Sequence, residues 1–222
     1  MPAWSGLHNG AADSTTVPIK PVLACLDLEG VLVPEIWITV AERTRIPELR
    51  LTTRDEPNYD VLMTRRLTIL DEHALTLNDI QDVIATMAPL DGAKDFLAWL
   101  RARCQVIILS DTFAQFAAPL MRQLDDPTIF CNTLEVDPNG RIVSYRLRLP
   151  DQKRASVIAL KSLNFHIVAA GDSYNDTSML MAADAGIFFR PPASITKEFP
   201  QFPVTQTYAE LQAAFRTAAG LP

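Results

Sequence analysis

Three short apolar runs, each closing on a cluster of polar residues, constrain this chain more than any other feature. Val22-Leu23-Ala24-Cys25-Leu26 leads into Asp27 and Glu29, Val106-Ile107-Ile108-Leu109 into Ser110-Asp111-Thr112, and Ile167-Val168-Ala169-Ala170 into Gly171-Asp172. Continuous apolar runs of this length, without polar alternation, read as strands covered on both faces. Ala185-Gly186-Ile187-Phe188-Phe189 reads as a fourth. Helical patterns lie between them: one from Asp91 to about Arg103 with Phe96, Leu97 and Leu100 on its buried face, one over 113–124, and one starting beside Lys153 and reaching Leu163. Strands alternating with helices predict an α/β fold with a parallel sheet and right-handed crossovers. Parallel strands bring their carboxyl ends to one edge, where ligands bind in open α/β sheets. Asp27 and Glu29, two residues apart, would share a face on a continuing strand. Taken alone, the pair fits two solvated acids at a strand end equally well.

The 222 residues, 48% of them hydrophobic, suit one core domain with an insertion. Residues 1–20 are rich in Gly, Pro, Ser, Thr and Ala and read as a tail without a fold of its own. Residues 21–34 and 88–222 carry the strand pattern. In 35–87 the apolar residues Ile36, Trp37, Val40, Ala41, Leu62, Leu67, Leu70, Ile80, Val83 and Ile84 recur at helical spacing, and no strand is predicted. Asp91 is expected to cap the helix that returns the chain to the core, and Ser110 to stand at the N-terminus of the next. Asp137-Pro138-Asn139-Gly140 reads as a hairpin turn between two alternating runs. Trp37, Met63 and Trp99 read as core residues.

A formal net charge of -6 argues against a nucleic-acid or anionic-membrane surface. Cys25, Cys104 and Cys131 form no CxxC pair and read as buried free thiols. His8, His73 and His166 are too few and too scattered for a histidine metal site. There is no apolar run long enough to span a bilayer and no secretory signal pattern, so a cytoplasmic location is expected.

The polar clusters suit phosphoryl transfer. Carboxylates such as Asp27 and Asp172 prefer a hard cation such as Mg2+. The metal and Lys153 would offset the charge of phosphoryl oxygens, and the hydroxyl and amide of Ser110 could receive a third oxygen. Asp27-Leu28-Glu29-Gly30-Val31, Ser110, Lys153 and Gly171-Asp172-Ser173-Tyr174-Asn175-Asp176, in this order and spacing, resemble the four motifs of the haloacid dehalogenase superfamily of phosphotransferases. Cys25 to Trp37, Asp71-Glu72-His73, Ile107 to Phe113 and Ala169 to Asp176 further resemble the phosphoserine phosphatases, in particular the bacterial branch that also phosphorylates homoserine.

The resemblance implies a Rossmann-like core with a small helical cap inserted after the first strand. It implies Asp27 as the nucleophile that becomes an aspartyl phosphate, and Glu29 as acid and base, with its backbone carbonyl on the metal. Glu29 departs from the aspartate usual at that position. Asp172 would ligate Mg2+, Asn175 would contact substrate, and Asp176 would hold Lys153 or a metal-bound water. Glu35 matches a glutamate that receives the substrate ammonium. Arg66 matches a cap arginine that grips the carboxylate, with Arg65 as its one-residue rival. Asp111 reads as a substrate contact or a helix cap. The implied substrates are phosphoserine and homoserine, and the implied state is a monomer or homodimer. The alternatives are another small phosphate, such as a sugar phosphate or nucleotide, and a catalytically silent binding module.

Overall fold

The computed structural model describes residues 20–52, 55–56 and 58–221. The tail expected over 1–20 lies, apart from Lys20, outside the described residues. Seven strands form one sheet: β1 (Val22–Leu26), β2 (Gln105–Phe113), β3 (Ile129–Val136), β4 (Ile142–Arg146), β5 (His166–Gly171), β6 (Ala185–Phe189) and β7 (Val204–Thr205), in the spatial order β4-β3-β2-β1-β5-β6-β7. All neighbours run parallel except β3 and β4, which pair antiparallel through the hairpin expected at 137–140. Asp137 makes that turn with its side chain: Oδ1 accepts from the N–H groups of Asn139 (2.8 Å) and Arg141 (3.0 Å).

The two-residue period of a strand explains why the apolar runs are unbroken. Ala24 and Leu26 face the larger cluster, with Phe96 of α4 (Ala93–Arg101) and Phe215 of α9 (Tyr208–Ala219). Leu23 and Cys25 face the other side, with Val157 of α6 (Gln152–Ser162), Met179 and Leu180 of α7 (Thr177–Ala182) and Ile195 of α8 (Ala193–Glu198). The strand order reverses around β1, with β2 on one side and β5 on the other. In register, Leu26 is level with Ile108 and with Ala170. The polar clusters that follow these three strands therefore meet at one edge.

Between β1 and α4 the chain forms α1 (Ile36–Thr44), a 3-10 turn at Pro47–Arg50, α2 (Tyr59–Glu72) and α3 (Leu77–Ala85), with no strand among the described residues. These helices are tied to the β3–β4 hairpin. Leu77 N–H donates to Gly140 O at 2.8 Å, Arg141 Nε pairs with Asp71 Oδ1 at 2.6 Å, and Tyr145 hydroxyl donates to Asp60 Oδ1.

Three local expectations are corrected. Asp91 does not cap α4; Gly92 occupies that position at φ +86°, a conformation open to glycine, and no side chain caps it. Strand β2 runs on to Phe113 and α5 (Ala114–Gln123) begins only after it, so Ser110 lies within a strand end and not at a helix N-terminus. Nor is Asp111 a helix cap, since α5 has Phe113 at that position and no side-chain cap. The segment 177–219 adds α7, α8, β7 and α9, elements that the sequence pattern left unassigned.

Candidate active site

Asp27 is the first residue beyond β1, and its N–H is fixed to Ala170 O of β5 at 2.9 Å. The chain then turns instead of continuing as a strand. Gly30 N–H donates to Val33 O at 2.8 Å, and Leu32 and Val33 N–H both donate to Leu28 O (2.8 and 3.0 Å). Glu29 thus faces the same cavity as Asp27 because of this tight turn and not because of strand alternation. Gly30 makes it possible: its φ is +78°, and a Cβ there would lie 2.5 Å from the Asp172 carboxyl carbon.

A cavity of about 510 Å³ opens over these residues, lined also by Glu35, Arg66, Ser110, Asp111, Lys153, Asp172 and Asn175. Lys153, 2% exposed, donates to Asp27 Oδ1 at 2.8 Å and Asp176 Oδ1 at 2.7 Å, and its Nζ lies 3.8 Å from Asp111 Oδ2. The other oxygen of Asp176 accepts from the N–H groups of Asp172 (2.9 Å) and Ser173 (3.0 Å). Asp176 therefore holds both the lysine and the loop that carries Asp172. Burial raises the Asp27 carboxyl well above the usual range; the charges of Asp176 and Asp172 add to this, and Lys153 opposes it. Burial also works against the Lys153 ammonium, but Asp176 and Asp27 outweigh it and hold its pKa above that of an ordinary lysine.

Glu29 Oε2 accepts from Ile36 N–H, the first residue of α1, at 2.8 Å. A carboxyl at a helix N-terminus is favoured. Even so, burial and the neighbouring Glu35 charge push Glu29 up to about 8, against the pull of Ile36 N–H, Arg66 and Lys153.

Arg66 and Arg65 separate cleanly. Arg65 is exposed and outside this cavity, whereas Arg66 is buried in its wall. The Arg66 guanidinium lies over the Trp37 ring at 4.4 Å, and Nη2 donates to Leu51 O at 2.7 Å; Nε is buried with no partner among the described residues. Burial lowers its pKa to about 10, although the surrounding Tyr59, Glu29 and Glu35 pull upward.

Two lining residues, Trp37 and Tyr59, and Met63 behind Arg66 were read as core or passed over. Trp37 is buried as expected but also forms the floor under Arg66. Met63 Sδ lies 3.7 Å from Arg66 Nη1. Tyr59 lines the cavity, and its hydroxyl donates to Asp111 O at 3.2 Å. Tyr59, Met63 and Arg66 recur at i, i+4 and i+7, so helical spacing carried that signal. At the opposite wall Asn175 Nδ2 donates to Asp111 Oδ2 at 3.0 Å. Ser110 Oγ accepts from Thr112 N–H at 3.2 Å, which leaves its own proton to be donated elsewhere.

Carboxylate oxygens of Asp27, Asp172 and Asp176 lie within 4.8 Å of one another. An all-oxygen, partly buried donor set of this kind fits a hard divalent cation. Asp176 already spends both oxygens on Lys153 and backbone N–H groups, so Asp27 and Asp172 are the members of the set with oxygens to offer a cation. The Glu29 carboxyl is outside this cluster.

The sequence matches the haloacid dehalogenase-like hydrolase family over residues 23–184. It is 60% identical over 197 residues to a Pseudomonas aeruginosa protein named phosphoserine phosphatase ThrH, covering 89% of this chain and 96% of that protein. A Pseudomonas syringae phosphoserine phosphatase is 61% identical over 197 residues, covering 89% and 83% of the two chains. A solved structure of a phospho-aspartyl intermediate analogue of phosphoserine phosphatase shares the fold, with a TM-score of 0.73 at 20% identity over 88% of this chain and 99% of that one. No helix among the described residues is long and apolar enough to cross a membrane. The four motifs, the sheet that gathers them and these similarities place the chain in the haloacid dehalogenase-like hydrolases, within the phosphoserine phosphatase family.

Proposed function

We propose that this protein is a phosphoserine phosphatase that works through an aspartyl phosphate on Asp27 and can hand the phosphoryl group to L-homoserine. The observation that carries the reading is one cavity with a phosphoryl end, Asp27 with Lys153 and Asp172, and an amino-acid end of opposite charges, Glu35 and Arg66. A phosphorylated zwitterion needs both ends. A sugar phosphate has no use for the second, and a silent binding module has no use for the Asp27–Lys153 pair.

In the first step an Asp27 carboxylate oxygen attacks phosphorus and the bond to the serine oxygen breaks, with Glu29 giving that oxygen a proton. Its elevated pKa keeps Glu29 protonated for this task near neutrality. In the second step Glu29 takes a proton from the acceptor hydroxyl, which attacks phosphorus and frees Asp27. Lys153 and Ser110 donate to the phosphoryl oxygens. Asp27 and Asp172, with the Glu29 carbonyl, would hold a Mg2+ ion, whose positive charge would favour the ionised form of Asp27. Asn175 steers the phosphoryl end and Asp111 orders it. Residues 35–87 act as the cap that excludes bulk water, and the setting is the cytoplasm.

Phosphate release from a panel of phosphomonoesters, with and without Mg2+, tests the reading. Phosphoserine is expected to lead, and a flat or sugar-led profile would count against it. Arg66→Ala is expected to lower kcat/KM for phosphoserine roughly tenfold to a hundredfold, the worth of a buried hydrogen bond to a charge. An aryl phosphate without an amino-acid end should lose far less; equal losses would make Arg66 structural.

The acceptor half has its own measurement. Homoserine has the ammonium and carboxylate of serine and one more methylene, so discrimination between them should stay within about 10–200-fold. A bound, aligned hydroxyl can reach effective molarities of about 10⁵ M or more, enough to compete with water. Phosphorus NMR of enzyme, phosphoserine and L-homoserine is expected to show O-phosphohomoserine growing at the expense of inorganic phosphate, saturating with homoserine. Inorganic phosphate alone would leave a plain phosphatase.

A further inference from the structure

Ser110 and Asp111 reach the cavity in an irregular stretch of β2, between the β3 pairs Leu109–Phe130 and Phe113–Asn132. Pairing of β1 with β2 ends at Ile108, and the register with β3 breaks between Leu109 and Phe113. Side chains take over. Asn132 Nδ2 (2.9 Å) and Tyr59 hydroxyl (3.2 Å) donate to Asp111 O, while Gln152 Nε2 donates to Ser110 O at 2.6 Å and to Asp111 Oδ1 at 3.2 Å. Gln152 is buried at the start of α6, directly before Lys153. Its amide orientation is dictated by its neighbours, since a carbonyl oxygen in place of Nε2 would face two acceptors. The consequence is that Oε1 is buried without a partner among the described residues.

We infer that Gln152 is a positioning residue for phosphoryl transfer: by holding the Ser110 carbonyl and the Asp111 carboxylate it fixes the Ser110–Asp111 peptide beside Asp27. That peptide is trans, so its C=O and N–H point in opposite directions. Pinning Ser110 O toward α6 therefore sets the direction of the Asp111 N–H and the placement of the Ser110 hydroxyl on the cavity side. Donors aimed before the reaction need no reorientation as charge develops on the phosphoryl oxygens. Because Gln152 also precedes Lys153, one helix start aligns the lysine on Asp27 and the strand end opposite it. The inference rests on the aspartyl-phosphate reading.

Gln152→Met keeps the length and helix preference of the side chain and removes both donors. It is expected to lower kcat roughly 10- to 100-fold. The loss should be equal on phosphoserine and on an aryl phosphate, because the defect sits at the phosphoryl end, and KM for phosphoserine should stay within about threefold. Gln152→Glu, close in shape, supplies a readout that a merely structural role would not move. Ionised, it sets a carboxylate against two acceptors; protonated, it regains one donor. Its activity relative to wild type should therefore climb as pH falls, while the Met variant's ratio stays flat. The charged groups facing position 152 are Asp111 from β2 and, around its own helix start, Asp151 and Lys153, with Asp27 and Asp176 behind the lysine; all are common to the three proteins. A Met variant within about threefold of wild-type kcat, or a Glu variant without the acid-side recovery, overturns the inference. Failure of the underlying reading shows separately, as a wild-type protein that hydrolyses neither ester, and removes the inference with it.

Discussion

Asp27→Asn is expected to abolish turnover, by at least about four orders of magnitude, the scale on which removing a covalent nucleophile acts. An amide oxygen is a poor nucleophile, and the substitution also deletes one anionic oxygen from the Asp27–Asp172–Asp176 cluster. The fold should not suffer. Burial and the charges of Asp176 and Asp172 hold the folded-state pKa of Asp27 above its unfolded value. The ionised carboxylate is therefore a stability cost that grows as pH rises, and a neutral isostere removes it. Lys153 keeps its bond to Asp176 at 2.7 Å and can still donate to the asparagine oxygen. In chelator near neutral pH the thermal midpoint of Asp27→Asn should equal or exceed that of wild type. Residual turnover above about 1% would mean that another group carries the phosphoryl, and a midpoint several degrees lower would mean that Asp27 is more structural than this site implies.

How far such a site can be read from sequence depends on the range of the forces that build it. The unbroken apolar runs announced strands buried on both faces, and parallel strands have few ways to share an edge, so Asp27, Ser110 and Asp172 could be gathered from the sequence, while Lys153, on α6, joined them only through the order of the motifs. What was misread is local geometry decided by tertiary partners. The turn after Leu26 looks in sequence like a strand that continues, because nothing in Leu28-Glu29-Gly30 alone reveals that Gly30 must clear the Asp172 carboxyl 142 positions downstream. Ser110-Asp111-Thr112 looks like a helix start, since Ser, Asp and Thr are good caps. In the fold the segment stays extended because Gln152, Asn132 and Tyr59 hold its carbonyls. The choice of Arg66 over Arg65 likewise needed a partner: only the face of α2 that meets Trp37 looks into the cavity. Gln152 carried no sequence signal at all, because a lone glutamine acquires meaning only from the two acceptors brought to it.

Lys153→Met is expected to be as damaging to activity and, unlike Asp27→Asn, damaging to the fold. Lys153 is 2% exposed, and its ammonium is the only cation within salt-bridge distance of Asp27 or Asp176 among the described residues. Removing one partner of a buried pair leaves the other charge uncompensated and costs about 3–5 kcal/mol. At roughly 2–4 °C per kcal/mol for a chain of this size, the thermal midpoint in chelator should fall by about 6–20 °C. Methionine favours helix as much as lysine does, so α6 itself is not at fault. The deficit also has a direction in pH. Burial already raises the Asp27 carboxyl, and without the ammonium that opposes this rise it binds protons still more readily in the folded than in the unfolded chain. The variant's stability is then greatest at low pH and is lost as pH rises, so its gap to wild type should narrow from about pH 8 to about pH 5. Turnover should fall about a thousandfold or more at every pH, because protonating Asp27 rescues the fold but disables the nucleophile. A variant with a wild-type midpoint would show that the site tolerates two buried carboxylates unaided. A midpoint deficit that does not change with pH would place the damage in α6 and not in the charges it serves.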